Sequence, residues 1–462
     1  MNSNSSTSVE TMAPAANGNG LTHRSPVAAN GKANGNGNGI KAAPETPSPS
    51  EKPPDGGREG LADEVRRQAV RDKYRHVRAV HVQSKPSCLS TDTTETPNFI
   101  GFRNLMGIVL VSTNLRLVIE NIQKYGVLVC FKCHDFRKSD VQLGLALYFL
   151  IPCHLLLAYF LERTAASNAR RSPTRSAARR DGRTSPTKEQ ALEFRRIWRR
   201  LLVAHAVNVS AILVLTTYVV YAYIHHPMIG TVVEVHAIIV WLKTASYALT
   251  NRDLRHAYLH PVRGELDALP AIYRECPYPQ NVTFSNLVYF WFAPTLVYQP
   301  AYPRTERIRW SFVMKRAVEI VCLGAFMWLA AAQYATPLLH NSLDKMATLD
   351  VMSIAERLLK LSTVSLLIWL AGFFALFQSF LNLEAELTRF GDREFYEAWW
   401  NSGSLGEYWR TWNKPVYSFL RQHVYSPLRG RGWSHQGASI AVFFLSAVLH
   451  EMMVGIPTHN VI

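Results

Sequence analysis

From about residue 104 the chain alternates between long apolar runs and polar connections. The runs fall at 104–129, 141–161, 201–224, 229–249, 317–339, 358–380 and 436–456. About 20 residues carry an α-helix across the hydrocarbon of a bilayer. The pattern therefore predicts an all-α polytopic membrane protein with about seven spans. The first run contains Arg116, Glu120 and Lys124. Their i, i+4 spacing lets them pair along one helix face, and that face is expected to look into protein.

The polar front end reads differently. Residues 1–60 are mostly Asn, Gly, Ala, Ser, Pro and Thr, as in "GKANGNGNG". Such a segment buries too little apolar surface to offset its ordering entropy. A basic stretch follows at 63–82. It reads as a solvated helix or as an arm that touches the membrane or another subunit. Residues 1–98 are thus expected to form a disordered, basic N-terminal region, and 99–462 the membrane domain. Within it, 163–200 reads as a disordered basic loop. Its two Ser-Pro sites are open to phosphorylation.

Charge adds orientation. Connections 163–200, 250–310 and 384–435 carry 12, 7 and 7 Lys plus Arg, whereas 130–140, 225–230 and 339–357 carry 3, 0 and 2. Basic connections stay cytosolic, so the N-terminus is expected in the cytosol. The net charge of +16 then follows from orientation and attraction to anionic lipid, and no nucleic-acid-binding module is visible. Six cysteines at 88, 130, 133, 153, 276 and 322 make no disulfide framework. No cleavable signal peptide is seen at the N-terminus.

Three local patterns carry little. "CFKCH" at 130–134 matches a haem-attachment spacing but has no apolar pocket or distal ligand pattern beside it. "HEMMV" opens like a zinc-protease helix, but Val454 stands where the second His is needed. "NVT" at 281–283 is a glycosylation sequon that the topology puts in the cytosol, where it stays unmodified.

The last apolar run holds one conspicuous pair, His450 and Glu451, in "SAVLHEMMVGIP". A titratable group in a membrane helix marks a functional site by default. A hydrogen-bonded structural His is the alternative. A neutral imidazole in a dry cavity is a competent general base. Ahead of it lies "FGDREFYEAWWNSGSLGEYWRTWNKPVYSFLRQHVY". An interfacial aromatic belt explains its Trp and Tyr residues. Its amides and cations also suit a ligand with a nucleotide end and a fatty end.

"FYEAWWN" resembles the F-Y-x-D-W-W-N signature of membrane-bound O-acyltransferases in the sterol and diacylglycerol acyltransferase branch. "SAVLHE" resembles that family's helix bearing the reactive His. Asn413 of "WNKPV" precedes His450 by 37 residues, much as in that family. "FWFAPTLVYQPAYPRTERIRW" at 290–310 and "NLRLVIENIQKYG" at 114–126 are more similar to the type-1 diacylglycerol acyltransferases than to the sterol enzymes. The resemblance runs from about residue 97 to the end. Two departures stand out. Ala398 occupies the position of the signature acid, with Glu397 just before it. The chain also stops twelve residues after His450, where family members continue with further spans, so a C-terminally truncated and poorly active chain is expected.

The resemblance implies a helical bundle with its reaction chamber inside the bilayer of the endoplasmic reticulum. It implies long-chain acyl-CoA as donor, diacylglycerol as acceptor and triacylglycerol as product. His450 would accept the proton of the attacking hydroxyl. Asn413 would donate to the thioester oxygen or orient the imidazole. Phe395, Tyr396, Trp399, Trp400, Asn401 and Trp412 would guide CoA, and Glu451 would shape the chamber. No metal or redox cofactor is expected, and a homo-oligomer is. Sterol O-acyltransferase is the closest alternative. A lipid-binding or transport protein with His450 as a proton relay is the alternative of another class, and the pseudo-symmetric repeats it predicts are not seen.

Overall fold

The computed structural model describes residues 76–77, 79–90, 97–112, 123–124, 126, 136–171, 188–259, 270–347 and 351–459. Among them six helical segments are long and apolar enough to cross a membrane: Lys138–Arg171, Arg195–Tyr223, Pro227–Leu259, Trp310–Ser342, Val351–Leu387 and His435–Thr458. These match six of the seven expected spans. The run at 104–129 lies mostly outside the described residues; only helix α1 (Ile100–Ser112) and three later positions of it are described.

Helices α2 (Lys138–Leu150) and α3 (Cys153–Arg171) make one span, interrupted by a turn at Ile151 and Pro152. Helices α4 (Lys188–Tyr223) and α5 (Pro227–Leu259) follow, and these four pack together. A short helix α6 (Phe284–Phe292) leads to α7 (Trp310–Ala330), which runs through a π turn into α8 (Thr336–Ala347). Helix α9 (Val351–Phe373) passes through a second π turn (Phe374–Phe380) into α10 (Leu381–Leu387). Helices α7 to α10 pack as a second group, with α1 against α9. Short helices α11 (Leu405–Thr411), α12 (Lys414–Leu420) and α13 (Ser426–Gly430) precede α14 (His435–Thr458), which packs on α4 and α5. A third π turn, Arg421–Tyr425, joins α12 to α13.

Two details show how apolar helices acquire a fixed arrangement. A Cβ on Gly230 would meet Pro457 Cβ at 3.0 Å and Val220 Cγ1 at 3.1 Å, so the missing side chain lets α5 approach both α14 and α4. Small residues permit such close crossings where helix association lacks a hydrophobic drive. Deeper in, Glu162 of α3 is fully buried. It accepts from Arg255 Nη1 at 2.5 Å and lies 3.1 Å from His205 Nε2, tying α3, α5 and α4 together.

Two expected disordered segments need correction. The loop read at 163–200 is helical to Arg171 and again from Lys188; residues 172–187 lie outside the described residues. Its flanks, "RTAASNARR" and "KEQALEFRRIWRR", are rich in helix-forming Ala, Glu, Lys and Arg, and charge composition alone does not break a helix. The N-terminal region was likewise drawn too long. Residues 1–75 and 78 lie outside the described residues, but residues 76–77 and 79–90 dock on the helices as an arm, with Val77 and Ser87 buried. The sequon asparagine, Asn281, is buried and donates to Asn251 Oδ1 at 2.7 Å. "CFKCH" lies outside the described residues.

Candidate active site

The segment between α10 and α11 carries the aromatic signature. The structure does not present all of it to a ligand. Phe395, Tyr396 and Trp399 are buried, Tyr396 against Phe373 and Phe377 and Trp399 against Phe373 and Trp369. Tyr396 Oη donates to Gln378 Oε1 at 2.7 Å, inside the π turn that ends α9. The expectation that these three side chains line a path for CoA is corrected: they support the loop from within. The alternation of polar and aromatic residues in "DREFYEAWWN" gave no sign of which rings turn inward, because the loop has no regular period.

Trp400 and Asn401 act outward, on α1. Trp400 stacks on Phe99 with ring centroids 6.4 Å apart and an interplanar angle of 1°, and its Nε1 donates to Asn98 O at 3.1 Å. Asn401 Nδ2 donates to the same carbonyl at 2.6 Å, and its Oδ1 accepts from Gly101 N at 2.5 Å. The start of a helix leaves backbone N–H groups unpaired, and Asn401 satisfies one of them. Trp412 stacks on Tyr408 at 6.1 Å and on Trp369 at 6.4 Å.

The rim is ionic. Lys414 pairs with Glu397 and, at 3.0 Å, with Glu394; Lys85 pairs with Glu394 at 2.8 Å. Burial alone would raise the Glu394 carboxyl, but the two lysines outweigh it and hold it below the usual carboxylate range. Glu394 in turn raises Lys85. Glu397, the neighbour of the position lacking the signature acid, therefore serves an ion pair. Cys88, beside Tyr396, is no nucleophile: burial pushes its thiol up to about 11, and only the thiolate attacks readily.

Asn413 caps α12. Its Oδ1 accepts from Val416 N at 3.2 Å, as expected of Asn before a helix with Pro in its first turn. That bond fixes the carboxamide plane and leaves Nδ2 as the donor. His450 sits on α14 with an exposed ring. Its Nδ1 lies 2.7 Å from the carbonyl oxygen of Ser446. A carbonyl only accepts, so in the neutral ring Nδ1 carries the proton and Nε2 the lone pair. The hydrogen bonds of His450 stay within its own helix, and the structure does not join it to Asn413.

The aromatic segment does reach the His450 face. Trp409 of α11 packs edge-on against Phe443 of α14 at 5.8 Å. Phe443 and His450 are seven residues apart, so they share a helix face two turns, or about 10 Å, from each other. Glu451 lies about 100° round the helix, partly exposed. Two groups at this site escaped the sequence reading: Gln378, which takes Tyr396 and Ser87, and Glu386, which takes Arg309 and Arg393. Both lie in or near an apolar span, where a polar residue is itself a signal. Among the described residues no group of three or more His, Cys, Asp or Glu is placed to hold a metal ion.

Known proteins resemble this chain over most of its length. The family model of the membrane-bound O-acyltransferases matches residues 196–456. Diacylglycerol O-acyltransferase 1 of Dictyostelium discoideum is 32% identical over 376 residues, covering 81% of this chain and 56% of the relative. Diacylglycerol O-acyltransferases 1A and 1C of Glycine max are 33% and 34% identical, each with 72% of the relative covered, over 84% and 86% of this chain. The chain thus spans between about half and three quarters of the length of these relatives. With the motifs in the family's order and the family model matched across five of the six described spans, this multi-pass helical chain belongs to the membrane-bound O-acyltransferase family.

Proposed function

We propose that the protein is an acyl-CoA-dependent diacylglycerol O-acyltransferase, moving a fatty acyl group from acyl-CoA to the free hydroxyl of diacylglycerol. The observation that carries the mechanism is the His450 tautomer. With Nδ1–H committed to Ser446 O, Nε2 is the base that takes the hydroxyl proton as oxygen attacks the thioester carbonyl. The thiolate of CoA leaves and takes that proton back from the imidazolium of His450, which returns to its neutral form. One acyl C–S bond is replaced by one acyl C–O bond and no electrons change hands, so the reaction calls for no redox group. Asn413 Nδ2 is proposed to donate to the thioester oxygen as charge develops there.

Trp400, Asn401 and Trp412, with Lys414 and Lys85 on the rim, are proposed to border the entry of CoA. Glu451 is proposed to shape the chamber. A water-poor chamber suppresses hydrolysis of the thioester. Charge bias between connections supports a cytosolic N-terminus in the endoplasmic reticulum membrane, and the family resemblance supports a homo-oligomer. The test is to incubate membranes containing the protein with labelled oleoyl-CoA and either diacylglycerol or sterol. Labelled triacylglycerol is the expected product. Sterol ester instead would replace the acceptor, and neither product would overturn the reading.

A further inference from the structure

Three guanidinium groups gather around one ring. The Cζ atoms of Arg309, Arg316 and Arg393 lie 4.8, 4.9 and 5.7 Å from the centroid of Phe312. Each comes from a different place in the chain. Arg309 precedes α7, Arg316 stands on its second turn and Arg393 belongs to the aromatic signature loop. Like charges this close repel, so the fold holds the three together against their own electrostatics. Two carboxylates offset part of that cost. Glu386 takes Arg309 and Arg393, and Glu319 Oε2 accepts from Arg316 Nη1 at 2.6 Å.

The carboxylates leave donors over. Arg316 Nε and Arg393 Nη2 are buried and make no hydrogen bond. Arg393 Nη1 makes none either, since its ion pair with Glu386 lies off the hydrogen-bond axis. Phe312 does not serve these N–H groups. A ring face offers a cation its quadrupole, but it has no lone pairs for the fork of a guanidinium, which suits oxyanions. Buried donors without acceptors are rare and costly. Two guanidinium groups with spare N–H bonds around one ring have the chemistry of an oxyanion site.

The position fits the donor end. Arg393 stands two residues before Phe395. Ser379 Oγ donates to Glu319 Oε2 at 2.9 Å, and its chain neighbour Gln378 holds Tyr396. The Arg309 side chain is 39% exposed and Phe312 partly so, which gives the cluster a side open to a ligand. A phosphate suits it, because its terminal oxygens accept from more than one guanidinium in charge-assisted bonds.

We propose that Arg309, Arg316 and Arg393 around Phe312 form a phosphate-binding site at the start of α7. The phosphate is one of those on the nucleotide end of CoA or that of a phospholipid headgroup. The first source rests on the acyltransferase reading; the second does not. Glu319 and Glu386 brace the guanidinium groups before a ligand arrives, and Glu319 competes with the ligand for Arg316.

The test titrates the full chain with CoA in phosphatidylcholine nanodiscs, without acceptor. Arg316→Gln removes one fork and is expected to weaken CoA binding about ten- to a hundredfold. Arg316→Lys keeps the charge without the fork and is expected to recover part of the loss. Glu319→Gln removes the competing carboxylate and is expected to tighten binding up to about fivefold. The opposite signs separate a ligand site from a structural pair, for which both variants would act in the same direction. In a second arm, the same variants in dodecyl maltoside are scanned for melting temperature with dihexanoylphosphatidylglycerol, an anionic phospholipid. Stabilisation by this lipid that Arg316→Gln abolishes, with CoA binding unmoved, assigns the site to the headgroup. A wild type that neither binds CoA nor is stabilised by the lipid, or an Arg316→Gln variant that keeps both responses, overturns the site. Should Arg316→Gln not fold, Glu319→Gln decides: tighter binding supports the site, and unchanged or weaker binding overturns it. A protein that makes no triacylglycerol fails the acyltransferase reading and leaves the phosphate result standing.

Discussion

The sharpest energetic consequence of the structure concerns Glu386. This carboxylate is fully buried at the end of α10. Oε1 accepts from the backbone N–H of Arg309 at 2.7 Å and from its Nε at 3.2 Å; Oε2 accepts from Arg309 Nη2 at 3.2 Å. Arg393 Nη1 lies 2.5 Å from Oε2 as an ion pair off the hydrogen-bond axis, and its Nε donates to Phe390 O. Arg309 sits at the start of α7 and Arg393 two residues before Phe395, so one carboxylate clamps a helix start to the signature loop. Glu386→Ala strands Arg393, whose side chain is only 6% exposed. Removing one partner of a buried pair costs about 3–5 kcal/mol. The Arg309 side chain, 39% exposed, adds little because water can replace the carboxylate.

The loss should appear first as loop opening, with the opening equilibrium shifted by roughly 10²–10⁴-fold at about 1.4 kcal/mol per decade. Hydrogen exchange of peptides spanning 388–401 reads this directly, and a thermal scan reports the global part. Glu386→Leu combined with Arg393→Met removes both charges and should recover much of the loss, since replacing a buried pair by apolar residues is often neutral. Loop protection within about 0.5 kcal/mol of wild type in Glu386→Ala, or a double variant as damaged as the single, refutes the clamp.

Other consequences are more local. His450→Gln removes the proposed base while keeping the helix, so turnover should fall about 10²–10⁴-fold with KM for acyl-CoA changed only a few-fold; near-normal turnover in a stable protein would remove His450 from the mechanism. Gly230→Val pushes on Pro457 and Val220 and should cost about 1–3 kcal/mol as overpacking, measured as a lower melting temperature; an unchanged temperature means α14 yields there freely. The Lys85–Glu394 pair should give a flat pH response across the neutral range. Glu394 is depressed, so its contribution is present above its unfolded value of about 4.3 and lost as pH falls through the lowered one; Lys85 is raised, so its contribution is present below about 10.4 and lost as pH rises. Lys85→Met should therefore weaken arm protection by the same factor at pH 5.5 and 7.5, and by less at high salt.

Hydrophobic periodicity made the spans legible because a membrane helix must be apolar over a fixed length. Six were located from that alone, with ends misjudged where α3 and α4 run on into charged sequence. His450 was legible because a titratable side chain stands out against Ala, Val and Leu. Its tautomer was not, since that depends on the Ser446 carbonyl one turn back. The aromatic segment was legible as special but not in its division of labour. Phe395, Tyr396 and Trp399 turn inward while Trp400 and Asn401 hold α1, and an irregular loop has no period from which to read sidedness. The arm was missed for a related reason. Its docking rests on contacts between residues more than 300 positions apart, such as His76 with His423 and Lys85 with Glu394, which no local composition announces.

These arrangements divide the demands of the proposed acyl transfer in a physically sensible way. The imidazole is oriented by a carbonyl of its own helix, so its tautomer survives small shifts of neighbouring spans. The donor end cannot be organised so locally. A CoA ester presents a large polar head, and the groups that would border it sit on short helices and loops with no continuous hydrogen-bond ladder. Those segments are instead tied to distant elements: Tyr396 to the π turn through Gln378, Asn401 to α1, Arg393 to α10 and the loop before Phe395 to the arm. Each tie is a polar contact in a confined place, where losing one partner leaves the other unsatisfied. Damage at the ties should therefore spread through the donor end and raise KM for acyl-CoA, whereas damage at His450 should lower turnover and leave that KM nearly alone. A tie variant such as Gln378→Leu that lowered turnover at saturating acyl-CoA without raising KM would show that the two ends are not separate in this way.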